Sequence, residues 1–294
     1  MTIGIGVLAS DPHDTTIKPN HLVLLADTMG SFDDEYSHAR LHKLFAFPEN
    51  DLYVAAADQI DVAAALVPMI NFHVSQAPEA TRSHGDIGRA IAQAVFLFRS
   101  ERFIMTVFPK YGLPPGSIAP DALISASSLI AGMALAPEDV REKIQQEWEN
   151  FNIGCDLLVG AFNCDGYGCL FSLYGQDVAI HTRSFPGFWA IGSGGENAKF
   201  WLSYRAHTLG MGLKRSAYHA YESKVMAESS AKVNEHLDMI VATKGKHWHQ
   251  STHRPSDKSD CPVTFDDFRK YWDIYGPKET ESIELRKLSP TSSP

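Results

Sequence analysis

The hydrophobic and polar positions of the chain follow two periods, and the order of these periods predicts the fold. At the start, Ile3, Ile5 and Val7 alternate with small residues, which is the period of two typical of a strand. The small residues on the other face would let a second strand or sheet pack closely. Three further apolar runs before residue 58 are read as strands: 21–26, 43–47 and 52–57.

Helical spacing follows these strands and then gives way to strands again. Helices are predicted over 59–76 and 86–105, the second with Asp86 as its N-cap, and Pro137 opens a charged helix that ends near residue 149. The later strands are predicted at 155–162, 169–174, 178–181, 188–191 and 237–241, and the later helices at 196–209 and 213–232. Grouped strands and grouped helices indicate an α+β fold, with two sheets face to face and helix pairs outside.

The pattern changes after residue 243. Residues 244–258 are polar and lack periodicity, so they are interpreted as a linker or tail. Residues 265–275 are aromatic and charged and predict a short docking helix, while 290–294 are predicted to be disordered.

Composition narrows the class of protein. The 294 residues are 44% hydrophobic and 21% charged, as in a globular protein with a sizeable core. A net charge of −9 argues against a nucleic-acid-binding surface, and four cysteines are too few for a disulfide scaffold. With no basic leader and no long apolar run, we expect a cytoplasmic protein that does not enter a membrane.

Three residues carry the candidate chemistry. If Met1 is removed, Thr2 gains a free α-amine beside its hydroxyl, so one residue holds both a nucleophile and a base. Asp27 ends an apolar strand, and Lys43 begins another strand sixteen residues later. A lysine beside the terminal amine would stabilise the deprotonated amine and the attacking oxygen, and a carboxylate would hold that lysine in place.

Other chemistry has weaker support. Tail histidines are usually solvated, so no metal is expected at His247, His249 and His253, and no cofactor is predicted. Gly192–Gly195 precedes a helix but lacks a phosphate-binding lysine and the dinucleotide pattern. Cys164 and Cys169 flank a hairpin turn and are expected to be reduced.

The order of the motifs resembles the proteasome β-type family of N-terminal nucleophile hydrolases, of the bacterial proteasome-related kind. The resemblance spans roughly residues 2–243 and rests on Thr2 before a glycine-containing strand and on five further segments. These segments are Leu25-Ala26-Asp27, His42-Lys43-Leu44-Phe45, Ala55-Ala56-Ala57-Asp58, the strand 156–162, and Ala190-Ile191-Gly192-Ser193-Gly194-Gly195. It implies a four-layer αββα sandwich with the active site at the mouth between two antiparallel sheets. It also implies a ring or rolled homo-oligomer, and it leaves an ATPase partner open.

The resemblance also implies roles for individual residues. Thr2 would be the nucleophile and terminal base, and Lys43 and Asp27 the activating pair. The backbone N–H of Ala57, where the family usually has glycine, would help to form the oxyanion hole. Ser193 would neighbour the Thr2 amine and support proton transfer.

The chain departs from the family pattern at several points. An insertion covers about 107–152, and the boundary predicted at residue 243 leaves 244–294 as a C-terminal extension. The family's Asp…Ser-Gly support motif has no clean match, although Ser229 or Ser230 could fill part of that role. Three functions therefore stay open: a threonine peptidase, an N-terminal nucleophile amidase for a small molecule, and a non-catalytic assembly or scaffold subunit.

We expect Met1 to be removed from the chain. The small residue at position 2 favours removal, and catalysis by Thr2 requires it. We expect the intact mass of the purified full chain to be lower than the sequence mass by one methionine residue. Retention of Met1 in the whole population would block the amine and favour the scaffold alternative.

Overall fold

Two five-stranded antiparallel sheets form the centre of the structure, a computed structural model that describes residues 3–11, 18–28, 42–113, 133–134, 136–176, 179–227, 236–252 and 261–275. In chain order the strands are β1 (Gly4–Ala9), β2 (His21–Asp27), β3 (Leu44–Phe47), β4 (Leu52–Asp58), β5 (Cys155–Phe162), β6 (Gly168–Leu173), β7 (His181–Thr182), β8 (Phe188–Ile191), β9 (Leu237–Thr243) and β10 (Lys246–Ser251). The first sheet has the order β10-β9-β2-β1-β8, and the second has the order β3-β4-β5-β6-β7.

The described α-helices are α1 (Ile60–Ser75), α2 (His84–Val107), α3 (Glu138–Glu149), α4 (Gly195–Tyr204), α5 (Leu213–Ala227) and α6 (Phe265–Tyr275). All except α3 cover the outer face of a sheet, and α3 packs against the C-terminal part of α2. One apolar cluster joins α1 and α2 to the second sheet, and another joins α4, α5 and α6 to the first. A third lies between the sheets and includes Leu24 and Leu158. These layers confirm the predicted α+β, four-layer αββα architecture.

The alternation of the first strand explains how closely the sheets approach. Ile3, Ile5 and Val7 are buried on the helix side of the first sheet. Gly6 lies on the other face, where an added Cβ would come within 3.0 Å of three leucine side chains from both sheets. The small residues of β1 therefore permit close packing between the sheets, as the sequence predicts.

Several predicted boundaries differ from the structure. The N-cap of α2 is Ser83, whose hydroxyl accepts from the N–H of Asp86, while the Asp86 carboxylate accepts from the N–H of Ser83. Asp86 is therefore the third residue of a capping box, and its prediction as N-cap is wrong. Helix α4 ends at Tyr204 instead of 209, because Ala206 adopts a left-handed conformation with φ of 48°.

The polar segment after residue 243 is structured in part. Lys246–Ser251 forms the edge strand β10, paired with β9, so the interpretation of 244–258 as a linker is wrong for these residues. The predicted docking helix is confirmed as α6, which buries Phe265 and Phe268 against the first sheet's helices. The boundary at residue 243 stays a prediction. Residues 253–260 and 290–294 lie outside the described residues, as do residues 114–132 and 135 of the insertion predicted at about 107–152.

Among the described helices, none combines the length and the apolar character needed to cross a membrane.

The cysteines are reduced in the structure. Cys155, Cys164, Cys169 and Cys261 are all free thiols, and three of them are buried.

Gly6→Ala tests the close approach of the sheets. The added methyl group would crowd Leu158, Leu170 and Leu24, so we expect the free energy of unfolding to fall by about 1–3 kcal/mol. Urea unfolding monitored by circular dichroism measures this change. Gly85→Ala in the first turn of α2 is the control, because its Cβ would meet only ordinary contacts at 3.6 Å. Equal stability of Gly6→Ala and the parent chain would contradict close packing here.

Candidate active site

The end of β2 places a carboxylate in the interior. β2 is apolar from Leu22 to Ala26 and lies between β1 and β9, so its last residue, Asp27, is carried inward and is fully buried. A buried carboxylate needs hydrogen bonds and a counter-charge to offset its lost hydration. The structure supplies both.

Lys43 is the counter-charge of Asp27. The Lys43 ammonium nitrogen lies 2.9 Å from Asp27 Oδ1, and neither side chain is exposed to solvent. Lys43 is held in place through its own backbone, because its carbonyl accepts from the N–H of Ala56 in β4 at 2.8 Å. The structure therefore brings together the pair that the sequence proposes, and the pair links the two sheets.

Burial changes the acid–base properties of this lysine. Desolvation lowers the pKa of Lys43, and the charges of Asp27 and Asp58 oppose that shift. Burial also raises the pKa of Asp58, which the Lys43 charge partly offsets. Asp58 ends β4 with a left-handed φ of 67°, a conformation that is uncommon for residues other than glycine. Lys43 thus lies in the field of two carboxylates.

The start of the described chain reaches the same carboxylate. The N–H of Ile3 donates to Asp27 Oδ1 at 2.8 Å, and the N–H of Asp27 donates to the Ile3 carbonyl at 3.3 Å. Thr2 lies outside the described residues, but a peptide bond joins it to Ile3. The first described residue, Ile3, therefore contacts the carboxylate of the pair directly.

The second carboxylate oxygen of Asp27 is also informative. Asp27 Oδ2 is buried, and within the described part of the chain it has no hydrogen-bond partner. Such an acceptor next to an ammonium group can receive a hydrogen bond from a further donor. The pair can therefore orient a donor group as well as the lysine.

The structure describes two of the other predicted residues, Ser193 and Ala57. Ser193 is exposed in the turn between β8 and α4, two residues beyond the pairing of Ile191 with Gly4. Ala57 is buried and pairs with Asp156 of β5. Because the N–H of Ala56 points to Lys43, that of Ala57 points to the opposite edge, towards β5. Ser229 and Ser230 lie outside the described residues.

Sequence reasoning missed the acidic neighbours of the pair. Asp58 appears in the sequence only as the end of an alanine run, so its proximity to Lys43 depends on tertiary structure. Asp238 is buried in β9 opposite Ala26, with Oδ2 at 3.8 Å from Nδ1 of His42. A charged residue inside the otherwise apolar strand Leu237–Thr243 is the sequence signal by which Asp238 could have been identified. No cluster of potential metal ligands occurs in the residues that the structure describes.

Comparison with known proteins shows similarity of fold. No protein-family model and no curated protein matches the chain by sequence. The Gly-1 mutant of Anbu from Hyphomicrobium sp. strain MC1 aligns with a TM-score of 0.57 and 16% identity over 93% of this chain and 94% of that chain. Anbu (ancestral beta-subunit) from Yersinia bercovieri gives 0.54 and 14% over 92% and 93%. The eukaryotic HslV of Trypanosoma brucei gives 0.49 and 17% over 82% and 99%. The two Anbu structures confirm the αββα sandwich.

Lys43→Met tests the energetic role of the buried pair. Without the ammonium group the Asp27 carboxylate stays buried with less compensation, so we expect the free energy of unfolding to fall by about 3 kcal/mol. The double variant Asp27→Asn, Lys43→Met removes the stranded charge and should recover most of that loss. Urea unfolding of both variants measures the two changes.

The control is Lys110→Met. Lys110 forms an exposed ion pair with Glu147 at 2.8 Å, and exposed pairs contribute below about 1 kcal/mol. If Lys43→Met were no more destabilising than Lys110→Met, or if the double variant were less stable than Lys43→Met, the pair would not have the assigned role.

Proposed function

We propose that this protein is an N-terminal nucleophile hydrolase that cleaves amide bonds with Thr2 after removal of Met1. The observation that carries the proposal is the shared carboxylate oxygen, Asp27 Oδ1, which binds both the Lys43 ammonium group and the N–H of Ile3. Because Thr2 directly precedes Ile3, we expect the buried ammonium group and the buried carboxylate to be its neighbours. The αββα fold shared with Anbu is consistent with this reading.

Strand pairing supports a role for Ser193. In the antiparallel pairing of β1 with β8, Gly4 lies opposite Ile191. If the register continues for two residues, position 2 comes opposite Ser193. The hydroxyl of Ser193 would then neighbour the Thr2 amine, as the family resemblance implies.

The proposed reaction uses these groups. The Thr2 hydroxyl attacks the amide carbonyl, and the α-amine accepts its proton directly or through water. The carbon–nitrogen bond breaks as the leaving amine takes up that proton, which leaves an ester between Thr2 and the acyl group. Water then hydrolyses the ester and restores the hydroxyl. Lys43 stabilises the developing negative charge on the Thr2 oxygen, and Asp27 holds Lys43 and accepts from the terminal amine through Oδ2.

Further parts of the proposal rest on the family resemblance. The substrate is a peptide or a small amide, and the chain assembles as a ring or rolled homo-oligomer. The hydroxyls of Ser229 and Ser230 are the proposed supporting groups. The oxyanion-hole role that the resemblance implies for the N–H of Ala57 would require this N–H to turn away from β5, towards which it points. Residues 1–243 form the proposed hydrolase domain, to which 244–294 are appended.

Thr2→Ala tests the nucleophile. Because alanine lacks the hydroxyl, we expect hydrolysis to fall by about 1,000-fold or more, whereas Thr2→Ser should keep measurable activity. Release of amine from a peptide panel and from a small-amide panel measures the rates and separates a peptidase from an amidase. Thr182→Ala, at an exposed position of β7, is the matched control.

Two outcomes would contradict the proposal. One is undiminished hydrolysis by a Thr2→Ala variant that folds and from which Met1 has been removed. The other is a folded, Met1-processed parent chain that hydrolyses neither panel, which would favour the scaffold alternative.

A further inference from the structure

A cavity lies far from the Asp27–Lys43 pair. It has a volume of about 440 Å³ and is formed by the residue after α4, the first turns of α5, and α6. Its lining residues are Arg205, Lys214, Arg215, Tyr218, His219 and Tyr271. The His219 ring packs at 5.7 Å on the ring of His207, whose Nε2 lies 3.4 Å from the Leu8 carbonyl oxygen. Leu8 lies near the far end of β1, five residues and about 17 Å along the strand from Ile3, which contacts Asp27. The cavity is therefore separate from the candidate active site.

The cavity has an excess of positive charge. Arg205 donates to both carboxylate oxygens of the buried Glu222, with its Nε at 2.6 Å from Oε2, so these two charges compensate each other. Lys214 and Arg215 are exposed, and neither forms an ion pair within the part of the chain that the structure describes. They also lie in the first turn of the 15-residue helix α5, where the helix dipole favours an anion. Two positive charges therefore remain in a chain whose net charge is −9.

Two buried polar atoms in the lining lack partners. The Tyr218 hydroxyl and His219 Nδ1 have no hydrogen-bond partner among the described residues, and the two residues are only 8% and 5% exposed. Buried polar groups are almost always hydrogen-bonded, so atoms of this kind point to a ligand or an ordered water. Burial, reinforced by the charges of nearby groups including Arg215, lowers the pKa of His219 to about 4. The neutral ring at pH 7 can still donate one hydrogen bond.

The remaining wall of the cavity is aromatic. The rings of Tyr218 and Tyr271 meet edge to face with centroids 6.0 Å apart. Paired aromatic rings favour a flat, apolar group packed against them. The volume is also within the range of small-molecule sites, at about 300–1,000 Å³, and larger than an inorganic phosphate needs.

We propose that this cavity binds an organic phosphate monoester that carries a flat aromatic ring. Lys214 and Arg215 match the charge of a phosphate monoester, about −1.5 to −2 at pH 7. The Tyr218 hydroxyl and His219 supply donors to its oxygens, and the two tyrosine rings pack against the aromatic part. A monocarboxylate would leave one of the two cations uncompensated.

Isothermal titration calorimetry with the full chain tests this proposal. The probes are phenyl phosphate, inorganic phosphate and phenol, at low ionic strength. We expect saturable binding of phenyl phosphate with a Kd below about 1 mM, binding of inorganic phosphate at least about 5-fold weaker, and no saturable binding of phenol. The measurement does not involve hydrolysis, so failure of this proposal and failure of the proposed function are distinguishable.

Three variants assign the binding to the cavity. Lys214→Ala should weaken phenyl phosphate binding about 5-fold or more, and Tyr218→Phe should weaken it about 2-fold or more while it keeps the ring. Lys143→Ala removes an exposed lysine from α3 in the opposite helix layer and should leave binding unchanged. A resonance of the His219 ring should also move on saturation in the parent chain.

Three results would overturn the proposed binding of a phosphate monoester in the cavity. Absence of saturable binding, equal affinity for phenyl phosphate and inorganic phosphate, or equal weakening by Lys214→Ala and Lys143→Ala would each contradict the assignment.

Discussion

The buried carboxylate of Asp27 is the constraint on which the rest of the site depends. Burying a charge is unfavourable unless hydrogen bonds and an opposite charge surround it, so the fold must deliver both to the end of β2. One oxygen of Asp27 binds the N–H of Ile3 and the ammonium group of Lys43. The two sheets and the start of the described chain therefore meet at a single atom. Gly6 contributes to this geometry because its lack of a side chain lets the sheets approach.

Periodicity in the sequence predicts most of the fold, and its failures have physical causes. The alternation at Ile3–Val7 predicts both the first strand and its closely packed face, and helical spacing predicts α1 and α2. Strand β10 was missed because an edge strand is stabilised by hydrogen bonds along one side, and most of its side chains are polar or partly exposed. The early end of α4 depends on the left-handed conformation of Ala206, and an alanine in the sequence does not predict that conformation.

The candidate site was predictable only in part. The Asp27–Lys43 pair was predictable because Asp27 ends one strand, Lys43 begins another, and their sixteen-residue spacing matches the family that the chain resembles. The N–H of Ile3, the proximity of Asp58 and the cavity at α5 arise from residues far apart in sequence, so no local pattern encodes them. The roles of Thr2, Ser193, Ala57, Ser229 and Ser230 remain predictions of the resemblance. The similarity to the two Anbu structures is a similarity of fold.

The most direct measurement is mass spectrometry of the Met1-processed chain after acid quench during turnover of a hydrolysed amide. We expect a mass increase equal to the acyl half of the substrate, located on the N-terminal peptide at Thr2 and lost on further incubation as the ester is hydrolysed. Turnover with the acyl group attached to another residue, or with no adduct under conditions that trap an ester in a known acyl-enzyme, would contradict nucleophilic catalysis by Thr2.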